Sequence, residues 1–170
     1  PSAGIKAEPV AIKRTEVKIA HKPKIILSEN FINQVNFLHA NVKQGLEWSG
    51  VLVYSNKEGN VDTPENWVID VEEVILMDIG TPGYTEYDMD VTDTWSANKW
   101  MDALENGKQL GHNHSHHQLN CFFSGTDTQE LHDNAPNHAY YLSSILLHLR
   151  SQSPLLVKLK SHPIVLNTKN

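Results

Sequence analysis

The sequence has little cysteine, no long hydrophobic run and no excess of positive charge. Its single cysteine, Cys121, cannot form a disulfide within the chain, so we expect a fold that does not depend on an oxidising compartment, and an intracellular protein. Apolar stretches such as residues 145–149 are much shorter than the ~20 residues of a membrane-spanning helix. No basic segment followed by an apolar one opens the sequence. We therefore expect no membrane association.

The charge balance is acidic. A formal net charge of -6, with no basic stripe to offset it, argues against non-specific nucleic-acid binding, which needs Lys and Arg to neutralise phosphates. The 170 residues fit one domain, and 39% hydrophobic with 20% charged residues is typical of a globular chain. We predict an N-terminal arm or edge strand over residues 1–20 and a single domain over residues 21–170.

Helix signals occur three times along the chain. Ser28 can cap a helix whose apolar positions recur at spacings of three and four and which could end at Gly45. These positions are Phe31, Val35, Leu38 and Val42. Trp95, Met101 and Leu104 suggest a second helix ending near Gly107, and a short third one follows Asp127 and ends near Pro136.

Strand signals surround these helices and alternate with them. The candidates are residues 50–54, 67–77, the segment from Leu110 into the histidines, 140–149 and 155–159. Residues 80–93 form a long loop between the second and third of them. Strands mixed with helices and no internal repeat predict an α/β or α+β sandwich, a class that by itself implies no function.

A cluster of histidines is the main chemical signal. Residues 111–117 contain four of the ten histidines, and neutral imidazole is the commonest protein ligand for zinc. In an extended strand, residues two apart share a face, so His112, His114 and His116 could project together. Spacing alone leaves the ligand pair open between His112 with His114 and His114 with His116.

The residues that follow form a longer pattern, H-S-H-x(7)-S-x-x-D, from His114 to Asp127. This pattern resembles the JAMM metallopeptidase motif, also called MPN or JAB, H-[ST]-H-P-x(6)-S-x-x-D. The resemblance selects His114, His116 and Asp127 as ligands of one zinc ion. His117 stands where the family has proline, which puts the rigidity of the loop in doubt more than metal binding.

An upstream glutamate extends the resemblance. Glu47 lies three residues before Gly50, which opens a hydrophobic strand, as the family's glutamate does. The resemblance covers roughly residues 24–150. It implies a single JAMM/MPN domain with a mixed central β-sheet flanked by helices, in a layering like that of cytidine deaminases.

The resemblance also implies an activity. Two histidines and a carboxylate leave an open position for water on zinc, as in catalytic sites. Glu47 would then act as general base and acid, and Ser124 would hydrogen-bond the developing oxyanion. The expected function is hydrolysis of a peptide or isopeptide bond at the tail of a ubiquitin-like or sulfur-carrier-like protein, as in deubiquitinases. The alternatives are a non-catalytic scaffold of the same fold and a peptidase acting on small or cell-wall peptides.

Each residue also has a purely structural interpretation. Ser124-x-x-Asp127 is a helix-capping arrangement as well, and Glu47 alone would be a strand-edge charge. We expect Cys121 to be an apolar packing residue and His112 to have a structural or supporting role near the metal. A second zinc site at His132 and His138 is not expected. The tryptophans at positions 48, 67, 95 and 100 are predicted to be core or helix-packing residues.

Overall fold

The computed structural model describes residues 22–91, 93–116, 123–138 and 140–147. They form five strands and three α-helices in the order β1 (Lys24–Leu27), α1 (Glu29–Asn41), β2 (Trp48–Glu58), β3 (Val68–Ile79), α2 (Thr94–Glu105), β4 (Gln109–His116), α3 (Gly125–Asn134) and β5 (Ser143–Leu147). The strands make one mixed sheet in the order β1-β3-β2-β4-β5. The predicted mixed α/β class is confirmed.

Pairing within the sheet is antiparallel at its centre and parallel at its sides. β2 is antiparallel to both β3 and β4, whereas β1 lies parallel to β3 and β5 parallel to β4. The predicted arm at residues 1–20 and the predicted strand at residues 155–159 lie outside the described residues. No helix in the described part of the chain is both long and apolar enough to cross a membrane.

Helices cover both faces of the sheet. Leu52 and Tyr54 of β2 belong to the hydrophobic cluster that contains Phe31 of α1, whereas Val51 and Val53 belong to the cluster that contains Ala103 of α2. Because successive strand residues point to opposite faces, α1 and α2 pack on opposite sides. This explains why the sequence of β2 reads as a continuous apolar run rather than an alternating one.

The first helix matches its predicted start but not its predicted end. The Ser28 side chain accepts a hydrogen bond from the Phe31 N–H, as an N-cap does. The prediction that Gly45 ends the helix is wrong, since α1 ends at Asn41 and Val42 is extended with φ -71° and ψ 131°. Gly45 instead lies in the following turn with a φ of 91°.

One tryptophan prediction is also wrong. Trp48 and Trp67 are buried at 4% and 2% exposure. Trp100 packs against the hydrophobic cluster that contains Ala103 of α2. Trp95 is 64% exposed, and Lys99 lies 5.7 Å from its ring centroid. The reason is that the buried positions of α2 are Ser96 and Ala103, so the helix turns small residues toward the sheet and Trp95 toward solvent.

A glycine permits the close approach of β5 to β4. A Cβ atom on Gly111 would overlap the Leu142 carbonyl oxygen and lie 2.8 Å from the Tyr54 ring. We expect Gly111→Ala to lower the free energy of unfolding by about 1–3 kcal/mol, because overpacked cores must shift their backbone. Denaturant unfolding measures the loss.

Gly125→Ala is the matched control for that substitution. A Cβ at Gly125, the first residue of α3, has no heavy atom within 4 Å. Alanine there should leave stability unchanged or raise it by up to ~1 kcal/mol, because glycine is the poorer helix former. Equal stability of the two variants would contradict the close approach at Gly111.

Candidate metal centre

The alternation of β4 brings three histidines to one face of the sheet. The ring centroids of His112 and His114 lie 5.2 Å apart, and those of His114 and His116 lie 4.9 Å apart. His114 is only 4% exposed. Leu110, two residues earlier in β4, packs in the cluster with Ala103 of α2, so the histidines continue this same face.

Helix α3 supplies the carboxylate. Ser124 is its N-cap, and the Ser124 Oγ accepts from the Asp127 N–H at 3.2 Å, while the Ser124 N–H donates to the Asp127 Oδ2 at 2.6 Å. This reciprocal pair is a capping box. The other carboxylate oxygen, Oδ1, lies 3.3 Å from the His114 Nε2. Capping and ligation are therefore compatible, since each uses a different oxygen of Asp127.

The distances within this group suit a metal ion. The Nε2 atoms of His114 and His116 are 3.0 Å apart, and one ligand atom from each of His114, His116 and Asp127 lies within 4.8 Å of the others. Ligand atoms ~2.1 Å from a tetrahedral zinc would be separated from each other by ~3.4 Å. His112, His132 and His138 are not members of this group. Among the open ligand pairs, the geometry favours His114 with His116.

Burial keeps the ligand histidine uncharged. It lowers the pKa of His114 to about 4, even though the nearby Asp127 carboxylate acts in the opposite direction. Burial also lowers the pKa of His112, to about 3. A neutral imidazole is the form that binds a metal, because the nitrogen lone pair must be free. At neutral pH no proton has to leave His114 before a metal ion enters.

The Asp127 carboxyl is ionised for a different reason. Burial by itself raises its pKa, but the hydrogen bonds from Ser124 and the neighbouring His114 lower it more. The pKa of Asp127 therefore lies below its ordinary value. A metal binds imidazole in its neutral form, so two histidines and one carboxylate would give a ligand set of charge -1, which fits a divalent cation with one coordination position left open.

Glu47 lies just before the first residue of β2, the strand that pairs with the histidine-bearing β4. It is buried at 9% exposure and immediately precedes β2. Its N–H donates to the Thr81 carbonyl at 3.2 Å, and its carbonyl accepts from the Gly80 N–H at 2.9 Å. Ser49 is the direct partner of His114 in the β2–β4 pairing. Since residues two apart share a face, Glu47 is placed on the His114 side of the sheet.

The loop after β3 is anchored at its base. The Thr85 hydroxyl donates to the Asp78 Oδ2 at 2.8 Å and lies 2.7 Å from the Ser49 Oγ. Together with the two backbone bonds to Glu47, these contacts attach residues 80–85 to the start of β2. The exposed part is the turn that contains Gly83 and Tyr84.

Two other polar residues of this region were missed by the sequence patterns. Tyr87 contacts His112, and no motif marked it, because it lies in an irregular loop. Glu130 follows Asp127 by three residues on α3, a spacing that places both on one helix face and could have drawn attention to it. His117 and Cys121, by contrast, were discussed from the sequence but lie outside the described residues.

Glu130 is a buried carboxyl with an altered acidity. Its Oε1 accepts from the Tyr141 hydroxyl at 2.7 Å and from the Asn134 side chain at 3.0 Å. Its Oε2 is buried and has no hydrogen-bond partner among the residues described. Burial, with smaller contributions from the Asp127 and Asp133 carboxylates, raises the pKa of Glu130 to about 7. Folding therefore favours its protonated form.

This raised pKa predicts a pH-dependent loss of stability. The stabilising contribution of protonated Glu130 is fully present below its unfolded pKa of 4.5 and is lost as the pH rises through about 7. Glu130→Gln keeps an acceptor for Tyr141 and removes the charge. Between pH 5 and pH 8 the metal-free parent should lose about 1–3 kcal/mol more free energy of unfolding than the metal-free variant does.

Denaturant unfolding in the presence of a chelator at the two pH values measures this difference. Glu105→Gln, at an exposed position of α2, removes the same charge without the burial and is the control. An identical pH dependence in Glu130→Gln and Glu105→Gln would show that Glu130 is not the group responsible.

Comparison with models of known protein families finds no match, and no curated protein matches the sequence significantly.

Proposed function

We propose that this protein is a zinc-dependent hydrolase of the JAMM type that cleaves a peptide or isopeptide bond. The observation that carries the proposal is the convergence of His114, His116 and Asp127 within ligand distance of one another. The three residues come from β4 and α3, and their spacing in the sequence is that of the JAMM motif. The five-stranded mixed sheet with helices on both faces is compatible with a JAMM/MPN domain.

The choice of zinc rests on the donor set. Imidazole nitrogens with one carboxylate oxygen are ligands that zinc accepts readily, whereas calcium and magnesium prefer oxygen ligands only. Zinc, when bound, supplies Lewis acidity that polarises the scissile carbonyl and acidifies water. One ion per chain is proposed.

The chain's own residues would handle the protons and the charge. Glu47, buried on the His114 side of the sheet, would take a proton from the attacking water and deliver it to the departing amine. Ser124, held beside Asp127 by the capping box, would donate a hydrogen bond to the carbonyl oxygen as it gains negative charge. The C–O bond would form first, as the carbonyl electron pair moves onto its oxygen. The C–N bond would break when the carbonyl re-forms, and the amine would leave neutral with the proton delivered by Glu47.

A cleft lined in part by Tyr87, the residue that contacts His112, is the candidate location for the substrate. It has a volume of about 370 Å³ and is lined by residues of β3 and of the following loop, Asp78, Gly80, Thr81, Tyr84, Glu86, Tyr87 and Asp88. An extended peptide could add to backbone groups here by strand addition. The substrate class, the tail of a ubiquitin-like or sulfur-carrier-like protein, comes from the family resemblance.

The proposal is tested by incubating zinc-loaded protein with a panel of ubiquitin-like fusion proteins and short peptides. We expect cleavage of at least one fusion after its ubiquitin-like tail, and loss of cleavage when a chelator removes the metal. Restoration by added zinc is the control for damage by the chelator. Cleavage of short peptides alone would favour the small-peptide alternative, and cleavage of nothing in the panel would favour a non-catalytic scaffold.

A further inference from the structure

Within the described residues, the ring of His114 makes one hydrogen bond fewer than most metal-binding histidines do. Its Nε2 faces Asp127 and His116, and its Nδ1 is buried without a hydrogen-bond partner in the described segments. Ligating histidines usually donate this second ring N–H to a carboxylate, a carbonyl or water, which fixes the ring's orientation. On its Nδ1 side, the contacts from described residues that can orient the His114 ring are therefore packing contacts.

His112 provides that packing on one side. Its ring centroid lies 5.2 Å from that of His114 with an interplanar angle of 35°. The Tyr87 ring in turn stacks on His112. The two ring centroids lie 5.5 Å apart, and the interplanar angle is 26°. The three rings thus form a continuous row from the loop after β3 to the candidate metal ligand.

Hydrogen bonds hold Tyr87 and His112, the two rings of this row that precede His114. The Tyr87 hydroxyl donates to the Gly50 carbonyl at 3.1 Å and lies 3.0 Å from the His112 Nδ1. A carbonyl oxygen can only accept, so the single hydroxyl hydrogen goes to Gly50, and the Tyr87 oxygen accepts from His112. His112 therefore carries its proton on Nδ1. Both rings are tied to the backbone of β2, the strand that pairs with β4.

We propose that Tyr87 and His112 are positioning residues for the zinc ligand His114. They hold its imidazole by stacking, since no described residue hydrogen-bonds its Nδ1, and the Gly50 carbonyl fixes Tyr87 in turn. The inference rests on the zinc site of the proposed function, but not on the hydrolytic reaction. It also gives His112 the supporting role that its place beside the ligands suggested.

Tyr87→Phe is the sharpest test, because it keeps the ring and removes only the hydroxyl. We expect zinc to bind about tenfold more weakly, as found when outer contacts of metal ligands are removed. The visible absorption bands of the cobalt-substituted protein should shift, since the ligand geometry changes. Tyr87→Leu, which also removes the stacking, should weaken zinc binding further.

Tyr84→Phe is the matched control. It removes a hydroxyl from the same loop, but that hydroxyl lies in the exposed turn and donates to the Glu86 side chain, so zinc affinity and the cobalt spectrum should not change. Zinc affinity is measured by competition with a chromogenic chelator, and denaturant unfolding of each metal-free variant monitors folding separately.

The outcomes separate this inference from the proposed function. Parental zinc affinity and an unchanged cobalt spectrum in Tyr87→Phe overturn it, even if the metal-free variant is less stable. Weaker zinc binding by Tyr87→Phe in a protein that hydrolyses nothing supports the positioning role while the proposed hydrolase activity fails. A parent protein that binds no zinc overturns both.

Discussion

Replacing Glu47 with glutamine is expected to abolish hydrolysis while zinc binding stays intact. The substitution keeps the size of the side chain and removes the carboxylate that the proposed reaction uses to transfer a proton. General acid–base catalysis contributes roughly 10²–10⁴-fold, so the rate should fall by that factor. Zinc content, measured by mass spectrometry, should equal that of the parent, because Glu47 is not one of the grouped ligand residues.

The fold should tolerate this change, since glutamine has nearly the same size and shape as glutamate and the two backbone bonds of Glu47 to Gly80 and Thr81 are kept. Glu58→Gln, at the exposed far end of β2, removes the same charge from the same strand and should keep the parental rate. A Glu47→Gln protein that retains zinc and cleaves substrate at the parental rate would rule out Glu47 as the base.

Removing His114 should have the largest effect on the metal itself. His114→Asn takes away a proposed ligand whose Nε2 lies 3.0 Å from the His116 Nε2 and 3.3 Å from the Asp127 Oδ1. We expect zinc affinity to fall by more than ~100-fold, because loss of an outer contact alone costs 10–100-fold. Zinc at 100 times its dissociation constant stabilises a folded protein by about 2.7 kcal/mol, and the variant should lose this stabilisation.

Thermal unfolding with and without zinc measures that stabilisation independently of any substrate. His132→Asn is the control, since His132 is exposed on α3 and lies outside the ligand group. Equal zinc-dependent stabilisation of the parent and His114→Asn would show that the ion binds elsewhere. Equal loss in both variants would point to a general effect of removing histidine.

Secondary structure was largely predictable from the sequence because its signals are local. The Ser28 cap, the spacing of Phe31, Val35 and Leu38, and the apolar run of β2 each act within a few residues. The end of α1 was less predictable. The chain leaves the helix at Val42, three residues before the glycine that the pattern favoured.

Burial was predicted less well than structure type. Trp95 is apolar and large, yet α2 presents Ser96 and Ala103 to the sheet. Glu130 is charged in isolation, yet it lies against Tyr141 in a site that raises its pKa to about 7. Both outcomes depend on which side of a helix meets another element, and the residue type alone does not decide that.

The sequence by itself determined the helices and most of the strands, and its resemblance to the JAMM motif singled out His114, His116 and Asp127. Only the tertiary structure decided that these three side chains converge, that Asp127 uses one oxygen for its helix and another for the site, and that Tyr87 holds His112. The physical reason is the range of the interactions. Caps and periodicity act between neighbours, whereas the contact of Tyr87 with His112 spans 25 positions and exists only because the loop after β3 folds back over the paired strands β2 and β4.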